Sequence, residues 1–211
     1  MAFEKGKRAS LMQKLKKASM SGAGNNIRDG KYRAVVKHMG FKTGFKGTRY
    51  QIEFIIVNSQ KVSVVSPKTN LALDIEPNSI GSSVDWLCVK LDKDDEPGAG
   101  NLKKFVLELV GATEASEEDY LSTLADLSDC DEDGDPLPEA ERTEPGKGMC
   151  IDIETVRIET VKNKKEIVIC KFSHVPETQY NQAAMIQWMD QVAMFNAAQQ
   201  QQAKLPAAAA A

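Results

Sequence analysis

Lys and Arg side chains neutralise phosphates, and aromatic rings stack on bases without reading them strictly. One stretch of this chain interleaves the two kinds of residue. Lys31, Arg33, Lys37, Lys42, Lys46 and Arg49 fall among Tyr32, Phe41, Phe45 and Tyr50, and Trp86 follows later. The chemistry such a set suggests is phosphate neutralisation plus base stacking, with little sequence preference. The candidate nucleic-acid contacts are Lys31, Arg33, Lys37, Phe41, Lys42, Phe45, Lys46, Arg49 and Trp86. Strand alternation sends Tyr32 and Arg33 to opposite faces, and likewise Arg49 and Tyr50, so only part of the set can share one surface. Tyr50 and Phe54 read as core. Phe41 and Phe45 flank Lys42 in a turn, which commits them less to a core.

Charge sharpens this reading. Residues 1–60 carry 13 Lys/Arg against 3 Asp/Glu, and residues 101–145 carry 3 against 14, within a formal net charge of −3. The near-neutral total hides a basic front and an acidic middle, an asymmetry that bears on partners and encounter rates.

Other chemistries find little support. There is no phosphate-cradling glycine motif, no GxSxG and no HExxH, and the two histidines, His38 and His174, have no sequence-defined partner. Cys88, Cys130, Cys150 and Cys170 form no CxxC pair, which argues against zinc. Free thiols in a reducing compartment are the simpler reading, with two disulfides as the alternative. Asp129–Ala140 has the aspartates and glycine of a calcium loop but Pro at position 8 and Ala at position 12, so the final bidentate carboxylate is missing. The expectation is a non-enzyme with no cofactor and no metal. No apolar run approaches a bilayer span, and residues 1–20 lack the continuous apolar region of a secretory signal.

The elements that must position these residues follow from periodicity. Lys31–Phe41 and Thr48–Asn58 read as an antiparallel hairpin around the turn Lys42–Gly47, with Tyr50, Ile52, Phe54 and Ile56 on one face. Lys61–Val65 is a third strand candidate, and Ser82–Leu91 another, around Val84 and Trp86. Asp92–Asn101 reads as a charged loop. Asn101–Gly111 reads as a helix with Asn101 as cap, a stripe of Leu102, Phe105, Val106 and Leu109, and Gly111 as stop. A second helix is expected after Thr113 or Ser116, burying Tyr120, Leu121, Leu124 and Leu127. Met149–Val161 and Glu166–Phe172 form the clearest hairpin of the second half. Glu177–Gln202 reads as a helix on which Met185, Trp188, Met189, Val192 and Phe195 recur, a stripe that docks on the core or, as the alternative, on a partner. The expected organisation is a basic flexible arm at 1–28, a core at 29–175 with an acidic insert at 128–148, and a helix with a low-complexity tail at 176–211.

Gly30–Asn58, with its Gly-x-Tyr strand, Lys/Thr/Gly turn and long apolar strand, resembles the opening of a bacteriophage family of single-stranded-DNA-binding-like proteins. Leu102–Gly111 and Gly146–Val175 are similar to that family's helix and closing strands, so the resemblance covers about residues 29–175. It implies a mainly β fold with accessory helices, an OB-fold-like antiparallel barrel acting in phage DNA replication or recombination, in the host cytoplasm. Single-stranded DNA is the expected partner, with replication or recombination proteins implied by the resemblance and no membrane; dimerisation through the C-terminal helix is a further expectation for a barrel of this size. The acidic insert would then compete electrostatically for the DNA groove. The rival readings are a phage structural or assembly protein working through protein–protein contacts, a nucleic-acid mimic and, last, an enzyme.

Overall fold

A computed structural model of the chain describes residues 27–44, 47–90, 96–112, 122–124, 126–127, 137–138, 141–160, 164 and 166–204. Two long strands, β1 (Lys31–Gly44) and β2 (Gly47–Gln60), pair antiparallel from Lys31–Gln60 to Gly44–Gly47. Two short strands follow, β3 (Val64–Val65) and β4 (Ala72–Leu73), and pair only with each other. Next come β5 (Ser83–Lys90), the helix α1 (Glu96–Val110), β6 (Cys150–Glu159), β7 (Glu166–His174) and the helix α2 (Gln182–Lys204). The main sheet has the order β5-β2-β1-β6-β7, all antiparallel.

The hydrophobic pattern explains why the sheet is covered on both faces. Tyr32, Ala34, Val36, Tyr50, Ile52, Phe54, Ile56, Val84, Trp86, Ile151, Ile153, Cys170 and Phe172 line one face and meet Leu102, Phe105, Val106 and Leu109 of α1. Val35, Ile55 and Cys150 point the other way and meet Met189 of α2 together with Val175. Alternation on β1 is only partial because the ladder slips between Arg33 and Ala34 and again between Val36 and His38. A bulge of this kind inserts an extra residue and changes the phase of the side chains. It places Met39, not His38, in the core after Val36.

The expected closed barrel does not form. The chain is a mixed α/β domain with two open antiparallel sheets, and no ladder joins the edge strands β5 and β7. The reason lies in the aromatic core. Phe105 of α1 sits 5.5 Å from Trp86 of β5, 5.3 Å from Phe172 of β7 and 5.7 Å from Phe54, and Trp86 and Phe172 are themselves 4.8 Å apart between ring centroids. The two edges meet through packed rings rather than through backbone hydrogen bonds. Edge-to-face geometry of this kind adds about 0.5–1.5 kcal/mol per pair beyond area burial.

One boundary of α1 also differs from the sequence expectation. α1 starts at Glu96, inside the stretch expected to be loop, and Asn101 is buried within the helix rather than capping it. Pro97 falls in the first turn, where a missing N–H removes no helical bond. The other end is as expected. Gly111 takes φ 72°, Ala112 N–H donates to the Leu107 carbonyl at 2.9 Å, and Gly111 N–H donates to Glu108 at 3.4 Å. That pair of bonds satisfies the last carbonyls of the helix. His174 Nδ1 donates to the Glu108 carbonyl at 3.2 Å, and its ring fills the space a Cβ at position 111 would need. Of the expected second helix, residues 122–124 and 126–127 are helical and bury Leu124 and Leu127, while Tyr120 and Leu121 lie outside the described residues.

Candidate protein-contact surface

Three cations of the basic front, Lys31, Arg33 and Lys37, are tied to carboxylates of neighbouring strands. Arg33 donates from Nε and Nη2 to the two oxygens of Asp152 at 2.8 and 2.9 Å, a two-pronged pairing that the β1–β6 register sets up by placing the residues opposite each other. Lys31 lies 3.1 Å from Glu154, again its cross-strand partner. Lys37 donates to Glu53 at 2.7 Å, and Ser83 donates to the same carboxylate at 2.6 Å. Burial alone raises the Glu53 carboxyl, but the bonds from Lys37 and Ser83 outweigh it and hold the group below the ordinary glutamate value.

Trp86 has 0% exposure, so its ring is part of the core and is closed to base stacking. Phe41, Lys42 and Arg49 are placed by their backbones only, Phe41 opposite Tyr50 and Lys42 opposite Arg49 at the far end of the hairpin. Phe45 and Lys46 lie outside the described residues. Among the described candidates, the sheet thus turns three cations into cross-strand ion pairs and the tryptophan into core.

No protein-family model, no curated protein and no solved structure matches this chain. The resemblance to phage single-stranded-DNA-binding-like proteins is therefore withdrawn. So is the DNA-binding function: the barrel expected to carry it does not form, and of the residues expected to make it, Lys31, Arg33 and Lys37 are ion-paired and Trp86 is core. Most of the acidic insert, including 128–136 and 139–140, lies outside the described residues. No group of three His, Cys, Asp or Glu side chains fit to hold a metal occurs among the described residues. No described helix is long and apolar enough to cross a membrane.

The surface that stands out is carried by α2. The helix follows a 3₁₀ turn at Glu177–Gln179 and starts one residue after Asn181, whose side-chain oxygen accepts from Ala184 N–H at 3.0 Å. This is an N-cap, which the sequence reading placed too early by continuing the helix from Glu177. The first turn is then locked to the loop that leads into β6. Gln182 Nε2 donates to the carbonyls of Pro145 at 3.0 Å and Lys147 at 2.6 Å. Gly148 accepts this approach because it has no Cβ, which would lie 2.8 Å from the Gln182 carbonyl, and because its φ of 84° suits glycine. Arg33 braces the same junction, with Nη2 3.3 Å from Gln179 Oε1. A residue read as a phosphate contact is thus a strut between β1, β6 and the entry to α2.

Docking stops halfway along the helix. Met185, Ile186, Trp188 and Val192 are partly buried against the second core, and Met189 is fully packed. From Ala193 to Gln199 every residue is exposed, including Met194 at 66% and Phe195 at 64%. Among the described side chains, the most distal contact is with the loop before β5. Asn196 Nδ2 lies 3.4 Å from the Gly81 carbonyl, and a Cβ on Gly81 would meet Val192 at 3.4 Å. Ile80, next to Gly81, is itself 61% exposed. The apolar stripe of the sequence is real, but its distal end at Phe195 faces outward instead of packing on the core. Ile80 carried no sequence signal, since a lone aliphatic residue in a Ser-Ile-Gly-Ser turn is unremarkable until the helix is placed beside it.

A second exposed aliphatic pair, Val65 and Leu71, flanks the turn between β3 and β4. That turn is closed by Ser66 N–H to the Leu71 carbonyl at 2.9 Å, and Ser66 Oγ bonds the Glu166 carboxylate at the start of β7. The hydroxyl of Ser66 in turn holds Glu166 below the ordinary glutamate range.

The buried thiols are inert. Burial pushes Cys150 up to about 11 and Cys170 to about 12, so both stay protonated near neutrality. Both are free. A thiol must ionise to attack or to ligate.

Proposed function

We propose that the protein is a non-catalytic contact module whose working surface is the distal half of α2 with the adjoining Ile80 loop. One observation carries this: a helix held at its start by the Asn181 cap, two Gln182 bonds and the Arg33–Gln179 contact just before it runs on past its docking site, with Met194 and Phe195 exposed side by side on one uncharged stretch. Exposed apolar residues clustered on a fixed element mark interaction sites, whereas scattered single ones are ordinary. Aromatic and Met side chains are the types enriched at protein interfaces and depleted of competing solvation.

Oxidative footprinting tests the reading, since Met and Phe side chains both report solvent access. The full chain is labelled in its native cells and again as dilute purified protein. Strong protection of Met194 and Phe195 in cells, with Leu71 labelled equally in both, is the expected result. Equal labelling of Met194 and Phe195 in the two settings overturns the reading.

A further inference from the structure

Residues 61–77 leave the main sheet between β2 and β5 and take almost no part in the core. Ser66 is the one buried residue of this excursion. Val62, Val64, Leu73 and Ile75 alternate with exposed neighbours, stay half-buried and belong to neither hydrophobic core. The ribbon β3–β4 therefore has an inner side that no core closes over.

The tip of the ribbon is built from its own bonds. Asn70 N–H donates to the Ser66 carbonyl at 2.8 Å, and Thr69 N–H donates to Ser66 Oγ at 3.1 Å. Outside the ribbon, the tip bonds to one side chain among the described residues. The Glu166 carboxylate accepts from Ser66 Oγ and, at 3.2 Å, from Lys68 N–H. The base is fixed separately. Lys61 pairs with Asp74 at 2.6 Å and with Glu76. Just beyond it, Asn78 N–H donates to Tyr32 Oη at 3.1 Å, and Asn78 Oδ1 accepts from Arg28 N–H at 2.9 Å.

A buried charge pair links the two ends. Arg157 donates from Nη2 to Asp29 Oδ2 at 2.5 Å, and its Nη1 lies 3.6 Å from Glu166 at the tip. Asp29 follows Arg28, which the base holds. The Asp29 side chain is 1% exposed and that of Arg157 is 20% exposed. Asp29 Oδ1 and Arg157 Nε are buried and meet no hydrogen-bonding group among the described residues. Buried polar atoms without partners weigh against a closed arrangement, because water satisfies them once it has access.

We infer that residues 61–77 form a strap that opens and closes over the Asp29–Arg157 pair, with the Glu166 carboxylate as its latch. A two-stranded ribbon is marginal in water by itself. Release from Glu166 and loss of the ribbon's own order therefore coincide. Glu166 is also the first residue of β7, an edge strand of the main sheet. The latched strap stands at the start of that edge, where free backbone groups invite pairing with another chain.

Limited trypsin digestion of the full chain, followed by mass spectrometry, tests this at Lys68 on the exposed tip. Cleavage of a transiently open segment tracks the population of its open form. Glu166→Ala removes the latch without touching a bond inside the ribbon, and is expected to speed cleavage after Lys68 about tenfold. Ser66→Ala, which leaves Glu166 facing Arg157, is expected to speed it about threefold. Cleavage after Lys103 in α1 is expected to stay as it was. Ser66→Ala keeps the test readable should Glu166→Ala loosen the whole fold. An unchanged Lys68 rate in either variant overturns the inference, and so does a rise in Ser66→Ala that is matched at Lys103.

Discussion

The two faces of the main sheet are covered by helices in opposite ways. On one face α1 drives Phe105 into a nest of Phe54, Trp86 and Phe172, and its Leu102, Val106 and Leu109 are buried with it. On the other, α2 buries Met189 fully and leaves residues 193–199 in solvent. The first helix is spent on the fold. The second is only half used by it. Both faces are built from the same alternating strands, so the difference comes from the helices and from the polar residues around them. The α1 face is lined by aromatic and aliphatic side chains. The α2 face is fringed by the ion pairs Lys31–Glu154, Arg33–Asp152 and Lys37–Glu53. Exposed pairs of this type contribute about 0–1 kcal/mol each, so they orient the junction more than they stabilise it.

The contrast can be broken most forcefully at its strong side. Phe105→Ala opens a cavity among three rings and should cost about 3–5 kcal/mol, read by urea unfolding. Met189→Ala on the other face should cost about 2 kcal/mol, the lower end for such truncations, because a half-exposed helix can settle into the gap. Equal losses would mean that α2 is as integral as α1. The two buried thiols sharpen the same point without any mutation, since Cys170 belongs to the α1 core and Cys150 to the α2 core. Labelling by a thiol reagent under native conditions should be at least about tenfold faster at Cys150, a difference of about 1.4 kcal/mol in opening free energy. Faster labelling at Cys170 would reverse the ranking of the faces.

Acid should act on the α2 face as well. Glu53 lies on the same side of β2 as Ile55, and its carboxyl is held below the ordinary value because Lys37 and Ser83 outweigh burial. A carboxyl lowered on folding adds stability that is present above its unfolded value and disappears as pH falls through the folded one. Stability should therefore decline below about pH 4, and Glu53→Gln should flatten that part of the profile while leaving the alkaline side unchanged. An unaltered acid limb in the variant would show that Glu53 is not a source of the slope. The smallest effect on folding is expected at the contact surface itself. Phe195→Asp should shift unfolding by no more than about 0.5 kcal/mol, since the side chain packs on nothing that is lost. A loss of several kcal/mol there would place Phe195 in the core after all.

Much of this architecture was legible before any coordinates. The faces of β2, the β6–β7 hairpin, the α1 stripe and its Gly111 stop all follow from periodicity and from where glycine is tolerated. Three things were not legible, each for a physical reason. Closure of the sheet depends on whether the edge strands meet by backbone or by side chain, and only packing decides that Phe105, Trp86 and Phe172 fill the seam. The basic residues looked available for phosphates because their partners, Asp152, Glu154 and Glu53, lie on other strands or depend on a bulge that shifts Lys37. The stripe Met185–Phe195 has one period throughout, so nothing in it marks where docking ends and exposure begins. That boundary is set by the reach of the 145–148 loop and the Gly81 turn, both distant in sequence.

Hydrogen–deuterium exchange tests the central claim most directly, because it reads both helices in one experiment. The amides of residues 193–199 should exchange faster than those of 185–192 in the docked half of α2, and those of Leu102–Leu109 in α1 should exchange slowest. Exchange at 193–199 as slow as at Leu102–Leu109 would contradict the assignment of this half-helix as the part of α2 that the fold leaves free.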